Sequence, residues 1–200
     1  MRSIFQLVLL ISITFAIKLD IRERSLTCGE DKSHTLCLPD VGDACKINDD
    51  YLVGIGLTVK EQEEMVDLHN KYRADVAEGK VSGLPKAANM HQLKWNEDLA
   101  QVAQKWADQC LFDHDSGSAR KIPAFDKVGQ NIYLQKISKR VPGLKVKKAV
   151  KKWFGEVQDF DENQISPFKF TYDTGHFSQV VWAETSEVMK LFVGEKVKLC

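Results

Sequence analysis

The chain has 200 residues, with 28 basic and 28 acidic side chains, and therefore carries no formal net charge near pH 7. Since nucleic-acid-binding domains concentrate positive charge, this balance argues against nucleic acid as a main partner. The length is typical of one domain, which at this size buries enough surface for a core of its own.

The first segment has the pattern of a secretory signal peptide. Arg2 precedes an apolar stretch from Ile4 to Ile17, and Thr14 and Ala16 place small side chains where a signal peptidase cuts. The stretch is too short to cross a hydrocarbon core about 30 Å thick. We therefore expect residues 1–16 to be a signal peptide and the rest to be a secreted, extracellular chain without a membrane anchor.

Residues 17–57 are predicted to form an irregular arm that disulfides hold in place, because the segment shows no sustained hydrophobic period. It contains three of the five cysteines, and in an oxidising compartment cysteines are disulfide candidates first. Four cysteines permit three connectivities, and the spacing does not choose among them. A zinc site is the alternative, although no C-x-x-C pair is present. The five cysteines are Cys28, Cys37, Cys45, Cys110 and Cys200.

Three amphipathic helices are predicted in chain order. The first begins at Thr58, which forms a capping-box pattern with Glu61, and ends near Gly79. The second begins at Asn96, a favourable N-cap, and the third follows Pro142-Gly143. Their apolar stripes are Met65, Leu68, Tyr72 and Val76; Leu99, Val102, Ala103, Trp106 and Cys110; and Val146, Ala149, Val150, Trp153 and Val157.

Two short strands are predicted, at Val128–Leu134 and Phe177–Trp182, because both segments are rich in aromatic and β-branched residues. Helices that alternate with short strands indicate a sheet covered by helices on its faces. The predicted fold class is therefore α/β, a three-layer α/β/α sandwich with a mixed sheet.

Three motifs resemble those of the CAP superfamily, which includes cysteine-rich secretory proteins, antigen 5 and pathogenesis-related 1 proteins. Gly175–Trp182, with the sequence GHFSQVVW, resembles the signature G-H-[FY]-[ST]-Q-[LVM]-[VI]-W. His69–Arg73 resembles H-N-x-x-R, and Gly129–Tyr133 resembles G-[EQ]-N-[ILV]. The similarity covers about residues 28–188. Within the superfamily the chain looks most like antigen 5 of arthropod venoms and saliva, notably at Leu93–Asn96.

The resemblance implies a CAP domain at 58–188 and the disulfide pairs Cys45–Cys110 and Cys28–Cys37. After Glu187-Val188 the motifs of the family's final strands, with their cysteine pair, are not recognised. We therefore expect the C-terminal strands to be missing and residues 189–200 to be an atypical tail, in which Cys200 has no obvious partner.

The resemblance also implies a central cleft that can hold a divalent metal such as Zn²⁺, with His114, Gln130, Glu156 and His176 at the matching positions. Imidazole and carboxylate are suitable zinc ligands. Gln130 places a neutral amide where the family has an acid, which removes a negative charge and a candidate general base. The alternatives are an exposed loop histidine at His114 and a merely buried one at His176. His69 is predicted to be a core histidine.

The function that the resemblance implies is non-enzymatic: a secreted venom or salivary component that needs no cofactor and binds small hydrophobic ligands, host proteins or a divalent ion. One alternative is a metal-dependent peptidase that uses His114, His176 and Glu156. Another is a lipid or sterol carrier that contacts its ligand through Phe168, Phe170 and Tyr172. These aromatic residues are explained equally well as a loop packed on its own domain.

From Lys127 to Lys152 there are nine basic residues and no acidic one. The ordinary interpretation is a solvated helix face. The alternative is a binding patch for an anionic polysaccharide or an anionic membrane surface, and binding of either kind would weaken steeply with salt.

Overall fold

The structure is a computed structural model that describes residues 26–43, 56–137, 145–188 and 193–197. The predicted signal peptide, Cys45, Cys200 and the Pro142-Gly143 pair lie outside these ranges. No helix in the described ranges combines the length and the apolar character that crossing a bilayer requires.

Four α-helices and four short strands make up the regular structure of the described residues. In chain order they are α1 (Val59–Ala77), β1 (Lys94–Trp95), α2 (Glu97–Ala107), β2 (Leu134–Ile137), α3 (Val146–Gly155), α4 (Gly175–Val180), β3 (Glu187–Val188) and β4 (Val193–Val197). Short 3₁₀ helices lie at Thr35–Cys37, Glu156–Asp159, Glu162–Gln164 and Tyr172–Thr174.

The predicted start of α1 is confirmed atom by atom. The backbone N–H of Glu61 donates to the Thr58 hydroxyl, and the Glu61 carboxylate accepts from the Thr58 backbone N–H at 2.8 Å. Both halves of the capping box are therefore present. After the helix, Gly79 has φ +73°, the left-handed conformation that a glycine adopts at little cost.

The second and third helices also form where the sequence predicts them. Asn96 caps α2 by accepting from the backbone N–H of Leu99 at 2.8 Å. The helix ends at Ala107, so Cys110 lies beyond it, buried and with φ 57°, and not on the helix itself. Val157 belongs to the 3₁₀ turn that follows α3.

The segment 132–134 lies between two helical layers, which confirms the predicted α/β/α arrangement. Tyr133 packs into a core shared with Met65 of α1 and Val150 of α3. Its neighbours Ile132 and Leu134 point the other way and pack with Ala103 of α2. Alternation of this kind is what an extended chain imposes, because successive side chains leave opposite faces.

The strands form two parallel pairs. β1 pairs with β3, with Lys94 opposite Glu187, and β2 pairs with β4, with Leu134 opposite Val193. β4 lies within the predicted atypical tail, where the sequence shows no recognised strand. The predicted strand at Val128–Leu134 begins too early, since β2 starts only at Leu134.

The predicted strand at Phe177–Trp182 is wrong. Gly175–Val180 is the short helix α4, and its Phe177 and Val180 point into the core, each 1% exposed. Positions three residues apart share one side of a helix, so this spacing buries both side chains in a helix. The aromatic and β-branched composition alone therefore does not distinguish a strand from a helix here.

Arg73 joins α1 to the segment after α4. The residue is 1% exposed, and its guanidinium donates to the backbone carbonyls of His91, Val180, Trp182, Ala183 and Thr185. Burial lowers its pKa to about 10. This side chain therefore fixes the chain that carries α4 against α1.

The described part of the arm is fixed to the loop after α2. The Cys28–Cys37 disulfide closes its turn, in agreement with the expected pairing. The Thr35 hydroxyl donates to the Asp115 carboxylate at 2.5 Å, and the Thr35 backbone N–H donates to the Ala119 carbonyl at 2.7 Å. Cys110 is also disulfide-bonded. Because Cys45 lies outside the described residues, the Cys45–Cys110 pair stays a prediction.

Candidate functional site

The first half of the candidate site is the pair formed by His176 and Glu156. His176 lies in the first turn of α4, and Glu156 begins the 3₁₀ turn after α3. The His176 Nδ1–H donates to Glu156 Oε1 at 2.6 Å, and the backbone N–H groups of His176 and Phe177 donate to Oε2 at 3.0 Å each. One carboxylate therefore orients the imidazole and caps the N-terminus of α4.

The second half is the exposed His114, which lies in the loop after α2 and contacts Gln130 at 2.5 Å. The Gln130 amide is held by other groups: its Nε2–H donates to Asp115 Oδ1 at 2.8 Å, and Arg120 donates to its Oε1 at 3.4 Å. Arg120 also forms a buried ion pair with Asp115 at 2.5 Å. His114 is therefore an exposed histidine with a fixed partner.

These contacts determine which nitrogen of each ring carries a proton. The Asp115 carboxylate can only accept, so the amide nitrogen of Gln130 faces it and the amide oxygen faces His114. The Nδ1 atom of His114 is then a donor, as is Nδ1 of His176 beside Glu156. In the neutral rings, both Nε2 atoms keep a lone pair, which is the form that binds a metal ion.

Two neighbouring residues connect the halves. Gln130 holds His114, and the side-chain amide of Asn131 donates to the backbone carbonyl of His176 at 3.1 Å. Within the described ranges, however, no three His, Cys, Asp or Glu side chains form a group that could hold a metal ion. The four expected ligands therefore form two pairs, His114 with Gln130 and His176 with Glu156. In each pair the second residue orients the histidine.

The polar groups beside His176 take part in hydrogen bonds that hold the local structure. The carboxylate of Glu156 accepts three of them, one at Oε1 and two at Oε2, from His176 and Phe177. The nearby Ser178 hydroxyl donates to the backbone carbonyl of Thr174 at 2.9 Å, and not to a histidine.

A cleft of about 1080 Å³ lies beside the candidate site. Its lining includes His69, Trp153 and Gln179, together with Gln130 and Asn131. His69 is 4% exposed and its Nδ1–H donates to the Met65 carbonyl at 2.8 Å, which confirms it as a core histidine. Burial lowers its pKa to about 4, so the ring is neutral at physiological pH.

The aromatic residues assigned to a lipid ligand lie on the surface and not in this cleft. Phe170 is 60% exposed and Tyr172 is 90% exposed, and their rings are 5.3 Å apart. Phe168 packs edge-on against Trp182 at 4.9 Å, and both are about 40% exposed, at 41% and 42%. The loop thus packs in part on its own domain and also exposes apolar rings, and a lipid ligand for these residues stays a prediction.

Sequence reasoning assigned no role to the residues that hold the site in place. Asp115 and Arg120 fix the amide of Gln130, and Arg73 fixes the segment after α4. One signal was available: Arg73 follows Met65 and His69 at helical spacing on the apolar stripe of α1, where a cation requires buried acceptors.

The comparisons with known proteins agree with this fold and these motifs. The model of the cysteine-rich secretory protein (CAP) family matches residues 66–188. A protein named venom allergen 5 from Microctonus hyperodae is 36% identical over 167 residues, which cover 80% of this chain and 70% of that protein. This chain belongs to the CAP family.

Other CAP relatives are longer than the segment they share with this chain. The protein named CRISP/Allergen/PR-1 from Trittame loki is 42% identical over 162 residues, covering 78% of this chain but only 38% of that protein. Among solved CAP structures, the crystal structure of NaASP2 with Zn²⁺ matches with a TM-score of 0.55 and 26% identity, over 67% of this chain and 72% of that one. BmVAL-1 matches with a TM-score of 0.53 and shares the fold at 24% identity, over 68% of this chain and 70% of that one.

Proposed function

We propose that this CAP protein is a secreted venom or salivary component that acts by binding, without hydrolytic activity, and that its His114 and His176 bind a divalent metal ion such as Zn²⁺. The kinship with venom allergen 5 and CRISP-type proteins supports the general role. The observation that carries the metal proposal is the hydrogen bonding of the two rings: each directs Nδ1 at a fixed oxygen, which leaves Nε2 as the nitrogen that can bind a metal ion.

The donor set fits a weak site that water completes. Two imidazole nitrogens are suitable ligands for Zn²⁺, whereas structural sites take four protein ligands and catalytic sites take three. Gln130 and Glu156 act as the outer partners that orient ligating histidines. The related protein NaASP2 has a crystal structure with Zn²⁺, which is consistent with this chemistry. A bound ion would supply positive charge and open coordination positions to a partner.

The proposed lack of hydrolytic activity is supported by the neutral amide of Gln130, which cannot act as a base, and by the three hydrogen bonds that hold the carboxylate of Glu156 to His176 and Phe177. The competing proposal, a metal-dependent peptidase, requires turnover of a protein substrate that needs Zn²⁺ and that His176→Ala abolishes.

The test is a calorimetric titration of the chelator-treated protein with Zn²⁺ at pH 7.5. We expect His114→Ala and His176→Ala each to reduce binding at least about tenfold, and Glu156→Gln to reduce it by a comparable factor. The matched control is His91→Ala, which removes an exposed histidine elsewhere and should bind Zn²⁺ as the unmodified protein does. Unchanged binding in His114→Ala and His176→Ala would show that the ion binds elsewhere.

A second candidate, carriage of a hydrophobic ligand, is favoured by the exposed rings of Phe170 and Tyr172. Exposed apolar clusters often mark binding surfaces. Binding of a fluorescent fatty acid or sterol by the full chain should weaken in Phe170→Ser/Tyr172→Ser and not in the control Phe112→Ser, which changes a 65% exposed ring elsewhere. Equal binding by all three proteins would remove this candidate.

A further inference from the structure

Helix α3 divides into a buried apolar side and an exposed cationic side. Val146, Ala149 and Val150 are fully buried and Trp153 is 4% exposed. All five lysines of the helix and its N-cap are exposed, and we call them the α3 lysine face: Lys145, Lys147, Lys148, Lys151 and Lys152. At 3.6 residues per turn and 1.5 Å per residue, they cover about 160° of the helix surface within about 10 Å of its length.

The charge of this face is uncompensated within the described part of the chain. None of its five lysines forms an ion pair with a described residue, whereas Lys71, Lys80 and Lys105 are each paired with a carboxylate. The whole chain carries equal numbers of acidic and basic side chains, whereas residues 127–152, which include α3, contain nine basic residues and no acidic one.

Three of the five lysines lie at the N-terminal end of the helix, which is the less favourable end for a positive charge. The first turn of α3 contains no acidic residue, and its N-cap Lys145 makes no side-chain capping bond. The N-terminus of a helix carries partial positive charge, so Lys145, Lys147 and Lys148 repel it. An anion placed among these side chains would relieve this repulsion and would also meet the uncapped backbone N–H groups.

We propose that the α3 lysine face binds a sulfated polysaccharide. Lys147 and Lys148 lie one helical turn before Lys151 and Lys152, which gives two parallel rows of charge. Two such rows match a linear polymer with sulfate groups repeated along its length and charged at every physiological pH. The inference is independent of the proposed metal site.

The same face is poorly suited to a lipid bilayer. A helix that binds at a membrane interface inserts an apolar side between the headgroups. The apolar residues of α3 are all committed to the protein core, so the helix has nothing to insert. Nucleic acid is disfavoured as well, because single strands stack their bases on aromatic rings and the exposed face of α3 presents only lysine.

The test is retention of the full chain on immobilised heparin, followed by elution with increasing NaCl. We expect the protein to be retained, and the variant K147Q/K148Q/K151Q/K152Q to bind about ten- to a hundredfold more weakly. Substitution of the same four lysines by arginine preserves their charge and should preserve retention. Circular dichroism of each variant verifies that the fold is intact.

The matched control removes four exposed lysines elsewhere, with the same change in net charge: K60Q/K86Q/K94Q/K169Q. We expect it to be retained nearly as well as the unmodified protein. An equal loss in this control would overturn the proposal, because it would reduce the effect to net charge. Equal binding of desulfated heparin, or α3-dependent binding to phosphatidylserine vesicles without binding to heparin, would overturn it too.

Discussion

The side-chain amide of Gln130 donates a hydrogen bond to the buried carboxylate of Asp115, with 2.8 Å between Nε2 and Oδ1. This contact gives the amide at position 130 a role that an acidic side chain could not fill. Gln130 donates to Asp115 and accepts from His114 at the same time, which no ionised carboxylate can do.

Gln130→Glu should therefore destabilise the protein. The new carboxylate would face the buried carboxylate of Asp115, and the hydrogen bond between the two side chains would be lost. We expect a loss of about 1–3 kcal/mol at pH 8, measured by urea unfolding. Gln130→Ala removes the same hydrogen bond without adding a charge and should cost less.

The buried His69 should make the protein sensitive to acid. Burial lowers its pKa from 6.5 to about 4, so between these values the unfolded chain takes up a proton that the folded chain does not. Stability should therefore fall as the pH drops through this window, by about 3 kcal/mol in total, with no contribution above it. Urea unfolding at pH 7.5, 5.5 and 4.5 measures the effect.

His69→Gln keeps a polar side chain at the same place without the titration, and should reduce this acid sensitivity. His91→Ala is the control, because His91 is exposed. A pH dependence that is identical in His69→Gln and the unmodified protein would contradict the assignment.

Removal of the Cys28–Cys37 disulfide should loosen the arm and destabilise the domain. The two cysteines are 9 positions apart, and closing a loop of this size corresponds to about 2–3 kcal/mol in the chain-entropy description. We expect a loss of that size in C28S/C37S and faster amide exchange at Thr35, whose N–H donates to Ala119. Thr35→Val removes only the side-chain hydrogen bond to Asp115 and should lower stability less than C28S/C37S does. An equal loss of stability in the two variants would attribute the loss to that hydrogen bond and not to the disulfide.

A side chain at Gly129 should displace the side chain of Gln179. A Cβ atom at Gly129 would lie 1.8 Å from the Gln179 side-chain oxygen, which is the end of a flexible, half-buried side chain. We therefore expect Gly129→Ala to lower stability by no more than about 1 kcal/mol in thermal or urea unfolding. Gly129→Ala/Gln179→Ala should recover most of it. Gly155→Ala, where a Cβ meets nothing within 4 Å, is the control and should be close to neutral.

The three long helices were predictable because their signals are local. The capping box of Thr58 and Glu61, the Asn96 cap and the spacing of the apolar residues all lie within the helices they define. The short helix α4 lacked such signals. Its N-terminal N–H groups are satisfied by Glu156, 20 and 21 positions earlier in the chain, and no local pattern reveals such a partner.

For the candidate site, too, the sequence was informative about individual residues but not about their long-range contacts. Resemblance identified His114, Gln130, Glu156 and His176 as candidate site residues, and the structure adds that Gln130 contacts His114 and Glu156 accepts from His176. Which nitrogen is free on each histidine depends on contacts that sequence spacing does not encode, such as the Asp115 carboxylate that fixes the amide of Gln130. Motifs can therefore name the members of a site but not the direction of its hydrogen bonds.

The guanidinium of Arg73 recognises only main-chain oxygens of the segment that ends at Thr185. Every residue type supplies the same carbonyl oxygen, so the hydrogen bonds of Arg73 do not depend on the side chains of Trp182, Ala183 and Thr185. Substitutions in this segment therefore leave the hydrogen bonds of Arg73 in place, so the path of its backbone can persist while its side chains vary.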